Sequence, residues 1–354
     1  MVPNFERLDA VLRREEPDRV PNYEHLIDTH VMEFIMGKPA PLIKAHDKTS
    51  KIAHMEYLIS FFSRMGYDYV PLELGLNLFR LNVSVSHAKE PLGSSSRSWV
   101  DNERATIANC DEFNEYSWPE PSKAVDYQLL EAAGEVLPKG MKLVSGVAGG
   151  VHEHVMWLVG LKQFSIALRR EPTFLKKMFD KVGDLIAAVD SIIVEYNHVG
   201  AMRMGDDMGY KGRTMLDPKL LRKWVFPKQK EIVKVAHNHD KPFILHSCGN
   251  LNEIIDDLID EVGIDAWHSF QDIILPVTEA KKKFDSRVAI LGGVDLHTLC
   301  SAPRDLFREY CIKVLNACKQ GGSYAFGSGN SIPNYINIEN YKEMLKINKT
   351  HGIY

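Results

Sequence analysis

The residues best suited to chemistry in this chain are His246 and Cys248, in the stretch Lys241-Pro-Phe-Ile-Leu-His246-Ser-Cys248-Gly-Asn250. A short apolar run closing on Gly249 and Asn250 is the pattern of a buried parallel strand breaking into a loop. Residues two apart on a strand project to the same side, so an imidazole nitrogen and a thiolate at 246 and 248 can converge on one point. Both are good ligands for Zn²⁺. Two ligands are half a site. The carboxylates Glu73, Glu153, Asp206 and Asp207 and the imidazoles His152 and His154 are the candidates for a third, since zinc accepts nitrogen, sulfur or oxygen donors.

Elements that could bring these residues together follow from the rest of the sequence. The chain has 354 residues, 45% hydrophobic and 25% charged, the balance of a soluble globular protein able to bury a sizeable core. A formal net charge of -4, with no basic tract richer than Lys281-Lys-Lys283, gives no footprint for nucleic acid or an anionic membrane. No run approaches the apolar length of a membrane span, and the first residues lack a secretory pattern, so a cytoplasmic protein is expected. Five scattered cysteines, an odd number, argue against a disulfide framework and fit a reducing compartment.

Along the chain, residues 16–25 read as a turn and a first short strand, and residues 46–65 as a helix stopped by Gly66. A second strand spans 68–73. From 75 to 121 no helix period is visible; Gly93-Ser-Ser-Ser-Arg97 reads as loop, and the whole segment as an excursion after the second strand. Helix 126–136 leads to a strand at 141–146, and from residue 172 helices and short strands alternate to the end, with strands at 201–204, 243–245, 265–267, 288–291 and 323–326. Eight βα units predict a single-domain α/β protein, a closed (β/α)₈ TIM barrel, and no dinucleotide- or phosphate-binding glycine loop interrupts them.

In such a barrel the chemistry lies where strands exit. The exits are polar: Glu73, residues 149–154 with His152 and His154, Gly205-Asp206-Asp207-Met-Gly-Tyr210, His246-Ser-Cys248, His268-Ser-Phe-Gln271, Gly292-Gly-Val-Asp295 and Gly327-Ser-Gly-Asn330. We take Glu73, Asp206 and Asp207 as acid–base candidates, with one of the paired aspartates facing the mouth and the other bonding loop backbone. His152, His154, Tyr210 and Asn330 are the candidate substrate contacts, and His246 and Cys248 the metal ligands.

These motifs carry a family resemblance. Glu16-Pro-Asp-Arg-Val-Pro21, Gly66-Tyr-Asp68, Gly205-Asp-Asp-Met-Gly-Tyr210 with Met215-Leu-Asp-Pro218, Ile244-Leu-His-Ser-Cys-Gly249, Gly292-Gly-Val-Asp295 and Gly327-Ser-Gly-Asn330 resemble the uroporphyrinogen decarboxylase superfamily over nearly the full length. The resemblance implies a (β/α)₈ barrel and one of two chemistries: metal-free decarboxylation of a tetrapyrrole, or methyl transfer to or from a corrinoid through zinc held by His-x-Cys and a later cysteine. The decarboxylase branch carries arginines after the first turn, where this chain has Asn22-Tyr-Glu-His-Leu-Ile-Asp28. Its substrate-binding aspartate falls near Glu73. His246-x-Cys248 instead matches the methyltransferase branch, although the third cysteine falls near Ser328, a poor ligand that implies weakly held zinc. The expectation is therefore a zinc-assisted methyltransferase acting between a small methylated substrate, or a thiol, and a corrinoid-binding partner protein. A uroporphyrinogen decarboxylase-like enzyme of porphyrin metabolism and a barrel that only binds a tetrapyrrole or corrinoid are the alternatives.

Overall fold

A computed structural model describes residues 2–80 and 104–354, and the backbone of residues 83–90 and 93–100. Its centre is a parallel sheet of seven strands: β1 (Tyr69–Gly75), β4 (Lys142–Ala148), β5 (Val199–Gly205), β6 (Phe243–His246), β7 (Ala266–His268), β8 (Ala289–Leu291) and β9 (Tyr324–Ala325), paired in that order. Every pairing is parallel, from Tyr69 beside Lys142 at one edge to Leu291 beside Ala325 at the other. The strands are short and almost wholly buried, as expected of a sheet covered by helices. Helices Lys48–Met65, Pro172–Ile193, Phe226–His237, Val277–Phe284, Arg304–Cys318 and Ile338–His351 alternate with them.

The expected first strand does not form a ladder of its own. Residues 20–27 instead run beside β9 through isolated parallel bridges, Asn22 with Phe326 and Ile27 with Ile332. On the other side, the Tyr69 hydroxyl at the start of β1 meets both the N–H and the carbonyl of Glu24. Pro21 removes one backbone donor, which shortens any ladder this segment could make. The parallel α/β sheet read from the sequence is thus present with seven strands.

Within the excursion, Gly93-Ser-Ser-Ser-Arg97 is not loop. It lies in strand β3 (Gly93–Val100), antiparallel to β2 (Val83–Glu90), so pairing with a neighbour overrides the weak strand preference of glycine and serine. The excursion also touches residues 81, 82, 91, 92 and 101–103, which lie outside the described residues. The exit after β4 is helical: a helix, Val151–Val159, begins after Gly149 and Gly150. Among the described residues no helix is long and apolar enough to cross a membrane.

Candidate functional site

The carboxyl ends of β1, β4, β5 and β6 and the segment after β9 open into a cavity of about 830 Å³. Its lining includes Glu73, Asp207, His246, Cys248 and Asn330, together with His25, Glu153 and an apolar wall of Leu76, Leu78, Phe79 and Trp157. Arg80 lies over the Trp157 ring, 4.6 Å from its centroid.

His246 ends β6, and Cys248 follows two residues later on the same side, with Sγ 3.3 Å from His246 Nε2. Asp207 comes from the neighbouring strand exit. Its Oδ1 accepts the Cys248 N–H at 2.7 Å and stands 3.8 Å from His246 Nε2. One nitrogen, one sulfur and one carboxylate oxygen from Asp207, His246 and Cys248 lie within 4.8 Å of one another. Asn330 Nδ2 is 3.2 Å from Cys248 Sγ, and Ser269 Oγ is 3.8 Å from it. Burial, and then the charge of Asp207, push the Cys248 thiol up to about 12.

A chain of hydrogen bonds behind His246 sets its tautomer. Only a donor can face the Ser328 carbonyl, so His268 Nε2, 3.0 Å away, carries a hydrogen. Burial drives His268 down to about 4, so the ring is neutral and its Nδ1 is an acceptor. His246 Nδ1, 2.7 Å from that nitrogen, must then donate, which leaves a lone pair on His246 Nε2. That atom is the one turned toward Cys248 and Asp207. An imidazole oriented from behind, with a free Nε2 beside a thiol and a carboxylate, fits a zinc ion of three protein ligands.

Ser328 does not join this group. Its N–H donates to Glu24 Oε1 at 2.9 Å, and its hydroxyl lies close to Glu24 Oε2 and to the Asn330 carbonyl. A hydroxyl has one proton and here two oxygens to satisfy. Full burial lifts the Glu24 carboxyl to about 8, so Glu24 is protonated at neutral pH and donates to Ser328 Oγ, which passes its own proton to the Asn330 carbonyl.

The paired aspartates divide their work. Asp206 is buried and accepts the N–H groups of His152 and Glu153 at 3.1 and 2.9 Å and Gln229 Nε2 at 2.8 Å, so it caps the start of the Val151–Val159 helix. Gly150 permits this, because a Cβ there would sit 2.2 Å from Asp206 Cβ and Cγ. Asp207 alone of the two lines the cavity.

His152 and His154 lie off the cavity lining. Both are buried on that helix, with Nδ1 against the carbonyls of Asp207 and Gly150 respectively, because a helix starting straight after β4 turns them behind the wall. Tyr210 is half exposed beside Arg213 and also lies off the lining. Glu73 is present, tied at 3.0 Å to Arg203, a fully buried arginine whose Nη1 donates to the His25 carbonyl. Burial raises the Glu73 carboxyl despite that partner. Glu153 is pushed to about 9, first by burial and then by the nearby Asp206 and Asp207, so the cavity holds a protonated carboxyl at neutral pH.

Sequence reading missed His25, Glu24, Arg203 and the role of His268. His25 stacks on His246 with centroids 3.9 Å apart and planes 10° apart. Its signal was the polar close of residues 22–25, the same logic that singled out other exits. The signal for Arg203 was a charge between two methionines inside an apolar strand.

With this geometry in hand, comparison with known proteins decides the family. The family model described as uroporphyrinogen decarboxylase (URO-D) matches residues 99–351. The chain belongs to the URO-D family. Among solved structures it is similar to a methyltransferase from Methanosarcina mazei, at TM-score 0.70 and 18% identity, covering 97% of each chain. It is also similar, at TM-score 0.50 and 10% identity, to a putative vitamin-B12 independent methionine synthase from Listeria monocytogenes, covering 99% of this chain and 98% of that one. At these identities the likeness is one of fold. No curated protein matches this URO-D chain by sequence.

Proposed function

We propose that this URO-D family protein is a methyltransferase that moves a methyl group between a small methylated substrate, or a thiol, and a corrinoid carried by a partner protein, with Zn²⁺ held by His246, Cys248 and Asp207. The observation that carries the reading is the convergence of those three donors at the cavity wall, with His246 Nε2 left as a lone pair by the His268–Ser328 chain. When bound, zinc would supply Lewis acidity to the heteroatom that bears or receives the methyl group.

The chain's own residues do the rest. Leu76, Leu78, Phe79 and Trp157 hold the apolar body of the substrate and keep water from the reacting end. Asn330 Nδ2 donates toward Cys248 Sγ and steadies it as a ligand. Glu153 holds a proton that it can give to a departing oxygen or nitrogen. The fold we assign is one closed (β/α)₈ domain over residues 1–354, in which residues 20–27 complete the cylinder between β9 and β1; their bridges to Phe326 and Ile332 support it. Residues 75–121 form an excursion within that domain.

The decarboxylase alternative fits less well. A tetrapyrrole rich in carboxylates needs cations, and the described lining offers one arginine, Arg80, against the carboxylates of Glu73 and Asp207 and a protonated Glu153.

The test is zinc titration into metal-free protein. Cys248→Ala should bind zinc at least about tenfold more weakly than wild type. Equal affinities would remove the metal site. Release of carbon dioxide from uroporphyrinogen, with no methyl transfer from methylcobalamin to any thiol acceptor, would favour the other branch.

A further inference from the structure

A second cavity, of about 320 Å³, lies at the opposite end of the sheet. Asp68, which lines it, immediately precedes β1, whereas Glu73 and Gly75 at the far end of the same strand line the first cavity. Seven residues of strand put the two roughly 20 Å apart. Five cationic side chains from three elements surround this second cavity: Arg19 of the first segment, Arg64 at the end of helix Lys48–Met65, and Lys342, Lys346 and Lys349 on helix Ile338–His351.

The plain reading of such residues is helix chemistry, since cations favour helix carboxyl ends. It accounts for Arg64 and Lys349, each in a last turn. It does not account for Lys342 and Lys346, which sit earlier in their helix, or for Arg19, which is on none. The lysine spacing of four and three places all three on one helix face.

Counter-charge is short. The single carboxylate in the lining, Asp68, is buried and already accepts from the Asn4 N–H at 2.8 Å and from Arg7 at 3.2 Å. Lys342 pairs with Glu339. Lys346 acts on Glu343 only at longer range, and Glu343 is held by Arg304 and Arg308. Among the described residues neither Lys346 nor Lys349 forms an ion pair. This concentration of positive charge stands in a chain of net charge -4, so it is local and not a consequence of overall composition.

We propose that this cavity is a binding site for the phosphate group of a small molecule, held by Arg19, Arg64, Lys342, Lys346 and Lys349. Arginine supplies a planar fork and lysine a mobile point charge, and together they suit a tetrahedral dianion. A cavity of this size admits the phosphate with a small organic body, with Val20, Pro21, Met65 and Leu345 in its apolar lining. The site is independent of the methyltransferase reading.

Inorganic phosphate at low ionic strength is the first probe, its binding followed by isothermal titration, with ribose 5-phosphate added as a competitor. Wild type should bind one equivalent saturably, and ribose 5-phosphate should displace it; failure to displace would overturn a site for a phosphate with an organic body. Lys346→Glu/Lys349→Glu, at exposed positions where folding should survive, should weaken binding at least about tenfold. Lys162→Glu/Lys177→Glu, the same charge change on exposed sites elsewhere, should leave it within about twofold. Non-saturating binding in wild type, or equal loss in both double variants, would overturn the site and leave only a general charge effect.

Discussion

His268 stands directly behind His246, their Nδ1 atoms 2.7 Å apart, and the far side of His268 is fixed on the Ser328 carbonyl. The contact makes the proton position on one ring a property of the other. If the lone pair on His246 Nε2 is what metal requires, removing His268 should act at a distance. His268→Phe keeps a buried ring but frees His246 to adopt either tautomer. It should weaken zinc binding by roughly 10–100-fold while leaving Cys248 and Asp207 in place. Unchanged affinity in a folded variant would show that the chain of imidazoles does not orient the ligand.

Asp206 and Asp207, adjacent in sequence, should separate cleanly in experiment. Asp206→Ala removes three accepted hydrogen bonds at a buried helix start. It should lower unfolding free energy by about 2–4 kcal/mol in a denaturant titration. Asp207→Ala loses one backbone bond from a half-exposed side chain and should cost under about 1.5 kcal/mol, yet weaken zinc by at least about tenfold. Similar stability loss in both, with zinc affinity unmoved by Asp207→Ala, would contradict this division.

Glu24 gives a pH signature. Its carboxyl is raised in the folded protein from 4.5 to about 8 by burial. The folded state therefore holds a proton that the unfolded chain releases near pH 4.5, and its stabilising contribution is complete below that pH and disappears as pH climbs toward 8. Glu24→Gln presents the same donor and acceptor to Ser328 without titrating. The stability of wild type relative to Glu24→Gln should fall by up to a few kcal/mol between pH 5 and pH 8. A pH-independent difference between the two proteins would mean that Glu24 is already ionised.

The sheet was largely legible in the sequence because parallel strands buried on both faces read as short apolar runs, and those at β4 to β8 fall within a residue or two of the expected places. The helix Val151–Val159 was not, because Gly149-Gly150 masks its start and no side chain of its own caps it; the cap is Asp206, from another strand. The same long-range contact explains why His152 and His154 looked like mouth residues and are not. His246, Cys248 and Asp207 could be picked out singly, since each lies at or just past the carboxyl end of a strand. Their grouping with one another, and the diversion of Ser328 to Glu24, depend on side chains from residues far apart in the chain.

Arg203 and Glu73 offer the strictest check on the interior of the sheet. Arg203 is fully buried on β5, and Glu73 on β1 is its carboxylate partner at 3.0 Å. Burying two charges gains little over an apolar pair, but removing one leaves the other in a poorly solvating interior. Arg203→Met should therefore cost about 3–5 kcal/mol, because Glu73 must either stay charged without its partner or take up a proton. Arg203→Met/Glu73→Gln should recover part of that loss, since no charge is then stranded. Urea unfolding of wild type, Arg203→Met, Glu73→Gln and the double variant gives the coupling directly. If the double variant is no more stable than Arg203→Met, the pair contributes through packing of the arginine stem, and the charge on Glu73 has no bearing on the stability of this interior.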